Sequence, residues 1–175
     1  MEKSKQIQWC IDQHKNTNHF YDSYISYEFH LRMAEQVYKD FKHLLEEHLH
    51  HECGLGIWGH DTIEDTRVSY NQVKEVLGEA AANIVYAVSN EKGKTRKERA
   101  NSAYYKGIRD TPGAVFVKLC DRIANVQYSK MTKSRMFEMY KKENDEFTKE
   151  LGFTDAHKYL GMFVYLKNLF DEKLE

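Results

Sequence analysis

Residues 59–66 read Gly-His-Asp-Thr-Ile-Glu-Asp-Thr and combine a histidine with three acidic side chains. His60 and Asp61 place an imidazole and a carboxylate side by side, and Glu64 and Asp65 follow one helical turn later. Adjacent residues of a regular helix point in different directions, so His60 and Asp61 reach one centre only where the helix geometry is loosened. The motif therefore predicts a helix end that carries metal ligands, with two further carboxylates nearby.

A second motif covers residues 118–125 and reads Lys-Leu-Cys-Asp-Arg-Ile-Ala-Asn. Asp121 lies within an apolar helical pattern, where an unpaired carboxylate would be costly to bury. With His30 upstream, His60, Asp61 and Asp121 complete a set of two histidines and two aspartates that could hold one divalent metal. Such a mixed nitrogen and oxygen shell suits manganese, iron, cobalt or nickel. A bound ion of this kind activates water and polarises a phosphoryl oxygen, so the set predicts a metal-dependent hydrolase.

These motifs resemble those of the HD superfamily of metal-dependent phosphohydrolases and, more narrowly, the RelA/SpoT-type alarmone hydrolase domain. Residues 60–66 are similar to that subgroup's His-Asp-x-x-Glu-Asp-Thr, and residues 118–125 resemble its Lys-Leu-Ala-Asp-Arg-x-x-Asn. The similarity covers roughly residues 14–129. It implies an all-α, compact HD-domain fold, expected as a single domain over residues 1–175. It also implies removal of pyrophosphate from the 3′ position of guanosine tetra- or pentaphosphate, (p)ppGpp.

The resemblance further implies roles for individual residues. One divalent metal, usually manganese, would be held by His30, His60, Asp61 and Asp121. Glu64 and Asp65 would position or activate the attacking water. Asn125 would contact the nucleotide.

Substrate contacts outside the two motifs follow the family's pattern less closely. The family usually has an Arg-Lys pair in the loop before the first histidine ligand, whereas residues 18–21 here read Asn-His-Phe-Tyr. His19 occupies the arginine position and could stack on a base. The alternative for this segment is an ordinary loop with exposed aromatic residues. The departure keeps another nucleotide or a phosphorylated dinucleotide cofactor open as the substrate.

A basic stretch lies between the two motifs and contains Lys92, Lys94, Arg96, Lys97 and Arg99. A substrate with several phosphates needs cations beyond the metal, and arginine makes bidentate phosphate contacts. Arg96, with Lys97 beside it, is the favoured candidate, and solvated surface charge is the alternative. Arg122 is expected to pair with a neighbouring carboxylate.

Composition limits the classes of function. The chain has 175 residues and a formal net charge of −1 at pH 7, which gives no general attraction to nucleic acid or to anionic membranes. Since no apolar run is long enough to cross a bilayer and residues 1–8 are polar, a cytoplasmic protein is expected. The predicted partner is a small phosphorylated nucleotide, with no nucleic acid and no membrane; a homo-oligomer stays open. A non-catalytic nucleotide-sensing module and a nuclease are the less favoured alternatives.

Helical periodicity recurs along the chain, strand-like alternation is scarce, and the cysteines (Cys10, Cys53 and Cys120) form no Cys-x-x-Cys pair. The cysteines are expected to be small buried apolar residues. A loop is predicted over residues 16–26, and a mobile connector or short lid over residues 91–99. Predicted helices cover roughly residues 5–15, 27–46, 50–60, 69–78, 79–90, 133–151 and 154–174, together with one that starts at Thr111-Pro112. Ser69 and Gln72 are predicted to form a capping box.

Overall fold

The computed structural model describes residues 2–89 and 93–171. Over these ranges the fold is helical apart from a short antiparallel hairpin of β1 (Phe20–Tyr21) and β2 (Ile25–Ser26). The α-helices are α1 (Lys3–Asn16), α2 (Glu28–Phe41), α3 (His50–Gly59), α4 (Thr62–Asp65), α5 (Tyr70–Leu77), α6 (Glu79–Val88), α7 (Arg96–Arg99), α8 (Ser102–Asp110), α9 (Ala114–Met131), α10 (Arg135–Glu150) and α11 (Leu160–Asp171). No helix in the described part of the chain combines the length and apolar character needed to span a bilayer.

Helix α9 is the centre of the larger hydrophobic core. It packs against α2, α3, α6, α8, α10 and α11. Its buried apolar residues include Phe116, Leu119, Ile123 and Val126. Because α9 is surrounded by other helices, polar side chains on it must find partners inside the protein. Asp121 is one of these buried polar residues.

A second hydrophobic cluster fixes the end of α3 and includes Leu55 and Trp58. Helix α3 is buried from Cys53 to Gly59. A Cβ atom at Gly59 would lie 2.8 Å from the Leu77 side chain and 3.0 Å from the Val85 side chain. Glycine therefore permits the last turn of α3 to approach α5 and α6 closely, which determines where the residues that follow α3 lie.

Several predicted elements are confirmed. Helices α1, α3, α5, α6 and α10 agree with the predicted ranges to within a few residues, although Asn90 lies outside the described residues. Ser69 and Gln72 form the predicted capping box. The predicted loop over residues 16–26 contains the hairpin, whose strands are only two residues each.

The second predicted helix is too long at its carboxyl end. Helix α2 ends at Phe41, and 3₁₀ turns follow at Lys42–Leu44 and Glu47–Leu49. Leu45 adopts an extended backbone conformation and is 6% exposed. Burial of this leucine side chain accompanies the break and overrides the local helix propensity.

The region between the two motifs also differs from the prediction. Glu91 and Lys92 lie outside the described residues, whereas Arg96–Arg99 form the short helix α7, capped by the Thr95 side chain. Helix α8 has no predicted counterpart. It begins after Asn101, whose side chain accepts a hydrogen bond from the backbone N–H of Tyr104.

The starts predicted for the last helix and for α9 are both wrong. Helix α11 begins at Leu160 rather than near residue 154, and the predicted residues 172–174 lie outside the described residues. Helix α9 begins at Ala114, and its N-cap is Gly113 rather than Thr111. The Thr111 hydroxyl instead donates a hydrogen bond to the carbonyl of Gly107, in the preceding helix.

All three cysteines are buried and unpaired, as predicted. Burial raises the pKa of the Cys10 and Cys53 thiols to about 12. Because the thiolate is the reactive form, these two thiols are unreactive at neutral pH. They act as small apolar packing residues.

Replacing Gly113 by alanine is expected to destabilise the protein by roughly 3 kcal/mol, the sum of left-handed strain and overpacking. Gly113 has φ of +82°, and an added Cβ would collide with Sγ of Cys53. Urea unfolding measures the effect. Gly107→Ala is the matched control, because its Cβ meets nothing within 4 Å and its φ is not in the left-handed region. The control should stabilise by about 0.5–1 kcal/mol. Equal stability of the two variants would contradict the explanation.

Candidate active site

Four predicted metal-ligating residues come together from three parts of the fold. His30 lies on α2 and Asp121 on α9, while His60 and Asp61 lie at the junction between α3 and α4. His60 follows the last residue of α3, and Asp61 is the N-cap of α4. This break in the helix turns two adjacent side chains toward one centre. One potential ligand atom from each of the four residues lies within 4.8 Å of the others.

The distances within this cluster are short. Nε2 of His30 lies 3.1 Å from Nε2 of His60 and 3.3 Å from Oδ1 of Asp121. Nε2 of His60 lies 2.8 Å from Oδ2 of Asp61. Nδ1 of His60 is 2.7 Å from the carbonyl oxygen of Ile57. Because a carbonyl only accepts, Nδ1 carries the proton, and the Nε2 lone pair faces the cluster when the ring is neutral.

This donor set fits a divalent cation. Two imidazole nitrogens and two carboxylate oxygens converge, and both histidine side chains are 1% exposed. Two carboxylates buried so close together require a positive counter-charge or a shared proton. Mixed imidazole and carboxylate ligands suit the borderline first-row divalent metals. The cluster could therefore bind a metal.

Surrounding residues orient the two carboxylates. The Tyr27 hydroxyl donates a hydrogen bond to Oδ2 of Asp61. Lys118 Nζ donates to Oδ2 of Asp121 at 2.9 Å, and Asn125 Nδ2 donates to Oδ1 of Asp121 at 2.6 Å. Burial alone would raise the pKa of Asp121, but Lys118 and the two histidines hold it well below its usual range. Asp121 is thus an anion whose orientation is fixed, as metal ligands usually are.

Glu64 and Asp65 lie on α4, beside the cluster. Both carboxylates line the same cavity as Asp61. Burial, followed by the negative charges of Asp61 and Glu64, raises the pKa of Asp65 to about 7. A carboxyl group with this pKa gains and loses a proton near neutral pH, as a general acid or base must.

The cavity has a volume of about 450 Å³ and is lined by both acidic and basic side chains. Its acidic residues are Asp61, Glu64, Asp65, Asp121, Glu143 and Glu146. Its basic residues are Arg96, Lys97, Arg99, Lys118 and Arg122. A cavity of this size is typical of sites for small molecules. Acidic side chains that could hold a metal, together with several cationic side chains in the same cavity, suit a substrate with several phosphate groups.

The predicted substrate-contacting residues are distributed unevenly. Arg96, Lys97 and Asn125 line the cavity. Asn125 also accepts a hydrogen bond from the Tyr21 hydroxyl at 2.9 Å. His19 is not among the lining residues, although its Nε2 lies 3.9 Å from Oδ2 of Asp65.

His19 belongs to a stack of rings with His14 and Tyr27. Its ring stacks on Tyr27 with centroids 4.1 Å apart, and its Nδ1 lies 2.9 Å from Nδ1 of His14. His14 is 1% exposed, and burial lowers its pKa to about 3. His14 is therefore neutral, and His19 is held between it and Asp65.

One wall of the cavity comes from α10, which carries no motif. Tyr140, Glu143, Glu146 and Phe147 line the cavity. Glu143 is the carboxylate that pairs with Arg122, at 3.2 Å, and this confirms the expectation that Arg122 pairs with a carboxylate. Amphipathic spacing predicts that α10 is a helix, but it does not predict which cavity the helix borders.

No protein-family model matches the chain. In sequence, the chain is similar to the guanosine-3′,5′-bis(diphosphate) 3′-pyrophosphohydrolase of Aquifex aeolicus, with 38% identity over 88 residues that cover 48% of this chain and 12% of that protein. It is also similar to the guanosine-3′,5′-bis(diphosphate) 3′-pyrophosphohydrolase MESH1 of Danio rerio and of Homo sapiens. Each of these matches has 31% identity over 68 residues and covers 39% of this chain and 38% of the relative.

A solved structure described as "A metazoan ortholog of SpoT hydrolyzes ppGpp and plays a role in starvation responses" has a similar fold. The TM-score is 0.73 with 16% identity, over 96% of this chain and 93% of that chain. The chain therefore has the predicted all-α HD-domain fold. The similarity in sequence confirms the resemblance to RelA/SpoT-type alarmone hydrolases. The matches span 12% and 38% of the lengths of these sequence relatives, which is less than two thirds.

Proposed function

We propose that this protein is a divalent-metal-dependent phosphohydrolase that removes the 3′-pyrophosphate of guanosine tetra- or pentaphosphate. The observation that carries the proposal is the convergence of the four histidine and aspartate ligand atoms within 4.8 Å, beside a cavity that several cationic side chains line. The names of the relatives in sequence support the choice of substrate.

In the proposed reaction, a water oxygen attacks the phosphorus atom bonded to the ribose 3′-oxygen. The bond between this phosphorus and the 3′-oxygen breaks, and the 3′-oxygen takes up a proton. Guanosine tetraphosphate and water thus give guanosine 5′-diphosphate (GDP) and pyrophosphate. A metal held by His30, His60, Asp61 and Asp121, for which we propose Mn²⁺, would lower the pKa of bound water and neutralise phosphoryl charge.

The chain's own carboxylates handle the protons in this proposal. Glu64 and Asp65 line the cavity next to Asp61, where they orient the water and accept its proton. The pKa of Asp65, which burial raises to about 7, lets this carboxyl group return a proton at neutral pH. Positioning of the water and proton transfer are the contributions expected of side chains in phosphoester hydrolysis.

Substrate binding is assigned to basic and amide side chains that line the cavity. Arg96 and Lys97 contact phosphate groups, and Asn125 contacts the nucleotide from α9. His19 was predicted to contact the base, but its ring packs on Tyr27 outside the cavity lining. This position favours a second candidate function in which the same site hydrolyses another phosphorylated nucleotide or dinucleotide.

The direct test measures pyrophosphate released from guanosine tetraphosphate, with and without manganese, beside a panel of other nucleotides and a phosphorylated dinucleotide. We expect manganese-dependent release of pyrophosphate and GDP from guanosine tetraphosphate. If only other compounds of the panel release phosphate, guanosine tetraphosphate is rejected as the substrate and the metal-dependent mechanism is retained. Nucleotide binding without any turnover would reject the enzyme in favour of a sensing module. Cleavage of nucleic acid alone would indicate the nuclease alternative.

A further inference from the structure

Two arginine side chains in the cavity wall converge on one carboxylate. Nε of Arg96 lies 3.1 Å from Oε1 of Glu143, and Nη2 of Arg96 lies 3.2 Å from Oε2. Nη1 of Arg122 lies 3.2 Å from the same Oε2. All three residues line the cavity that borders the metal-ligand cluster. The Glu143 carboxylate thus accepts hydrogen bonds from two arginine side chains that line the cavity.

The guanidinium of Arg122 is fixed in place without Glu143. It lies over the Tyr140 ring at 4.7 Å from the centroid and over the Phe147 ring at 4.2 Å. Arg122 is 9% exposed. Stacking on two rings restricts the planar group, so little further ordering is needed when an anion binds. Arg122 is therefore a preorganised hydrogen-bond donor for anions.

The contact between Arg96 and Glu143 is easier to separate. The side chains are 47% and 32% exposed, respectively. Ion pairs exposed to this extent contribute little to stability. A phosphate group offers more negative charge than a carboxylate and matches the arginine fork equally well. A phosphate that enters the cavity can therefore replace the Glu143 carboxylate on Arg96 at small cost, and on Arg122 it supplies the negative charge that Glu143 gives up.

We propose that Arg96 and Arg122 form a subsite for the substrate phosphate that is not hydrolysed, and that Glu143 is an internal competitor for this subsite. The inference rests on the proposed function, because it assigns a place to the second phosphorylated end of the same substrate. A nucleotide that carries phosphate at both ends displaces Glu143 and is held by both arginines. A nucleotide with phosphate only at the metal leaves Glu143 in place and binds less tightly.

The test is the affinity of the manganese-loaded protein for GDP, measured by isothermal titration calorimetry. GDP carries the 5′-phosphates without a scissile 3′ group, so binding is measured without turnover. Glu143→Gln removes the competing charge and is expected to lower the Kd for GDP about fivefold, the equivalent of one partly exposed ion pair. Guanosine, which has no phosphate, should bind both proteins equally.

Glu146→Gln is the matched control, because Glu146 lies on the same helix, lines the same cavity and loses the same charge. Its Kd for GDP should change less than twofold. Adding Arg96→Gln to Glu143→Gln should abolish the gain, and the thermal midpoint of each variant verifies folding. The proposal is overturned by an unchanged or weaker affinity in Glu143→Gln, by an equal gain in Glu146→Gln, or by absence of GDP binding in every protein.

The two proposals fail separately. A Glu143→Gln protein that gains GDP affinity, while the unmodified protein releases no pyrophosphate, would support the subsite and reject the hydrolase. Pyrophosphate release from guanosine tetraphosphate without any gain in Glu143→Gln would support the hydrolase and reject the internal competitor.

Discussion

Replacing Asp121 by asparagine is expected to eliminate stable metal binding and to reduce turnover by roughly 10³-fold or more, because the metal would supply several kcal/mol of charge stabilisation. Oδ1 of Asp121 lies 3.3 Å from Nε2 of His30 and 3.6 Å from Nε2 of His60. A neutral amide there is a weaker ligand for a divalent cation. Metal content after manganese loading and desalting is the first measurement, and initial rate is the second.

Asparagine is preferred to alanine because of Lys118. Its Nζ lies 2.9 Å from Oδ2 of Asp121, and both side chains are 12% exposed. Asp121→Ala should also lose metal and activity, but it leaves a buried cation without its partner, and breaking such a pair costs about 3–5 kcal/mol. Loss of activity in the alanine variant could then reflect unfolding. Asparagine retains the shape and an oxygen that can accept from Lys118.

The control for this prediction is Asp40→Asn. Asp40 is an exposed residue on α2 that accepts a hydrogen bond from Gln36, and it does not line the cavity. This variant should keep full metal content and rate. Full metal stoichiometry in Asp121→Asn, with the protein folded, would contradict the assignment of Asp121 as a ligand.

The convergence of three of the four candidate metal ligands could be predicted because their signals are local. His60 and Asp61 are adjacent in sequence, and their shared centre requires the helix break that the structure contains between α3 and α4. Asp121 is a carboxylate within an apolar pattern, and the structure buries it against Lys118. His30 has no such local signal, since it is one of nine histidines and lies apart from both motifs.

The ion pairs among the cavity-lining residues were only partly predictable because the partners are distant in the chain. Arg96 and Glu143 are 47 residues apart, and Arg122 and Glu143 are 21 residues apart. The basic composition of residues 92–99 indicates phosphate binding, but it does not reveal that α10 brings a carboxylate to the same place. The predicted start of α9 is wrong for a similar reason. Gly113 packs against Cys53, and this contact between residues far apart in the chain overrides the local Thr-Pro signal.

Replacing Glu64 by glutamine is expected to lower turnover by about 100-fold or more while metal content and substrate affinity are retained, in line with the contribution of general acid–base catalysis. Glutamine has nearly the same shape as glutamate and still orients water through hydrogen bonds, but it does not accept a proton. Glu64 lines the cavity beside Asp61 and is not one of the four clustered ligands. Single-turnover rates and metal content of the same preparation measure the two effects.

Glu75→Gln is the control, since Glu75 is exposed on α5 and is not a lining residue of the cavity. Full activity in Glu64→Gln would remove Glu64 from the mechanism and leave proton transfer to Asp65 alone. The Asp65→Asn variant then decides, because Asp65 is the neighbouring carboxyl whose pKa burial raises to about 7. If Glu64→Gln loses metal instead, Glu64 supports metal binding rather than proton transfer, and its role becomes that of a residue that holds Asp61 in place.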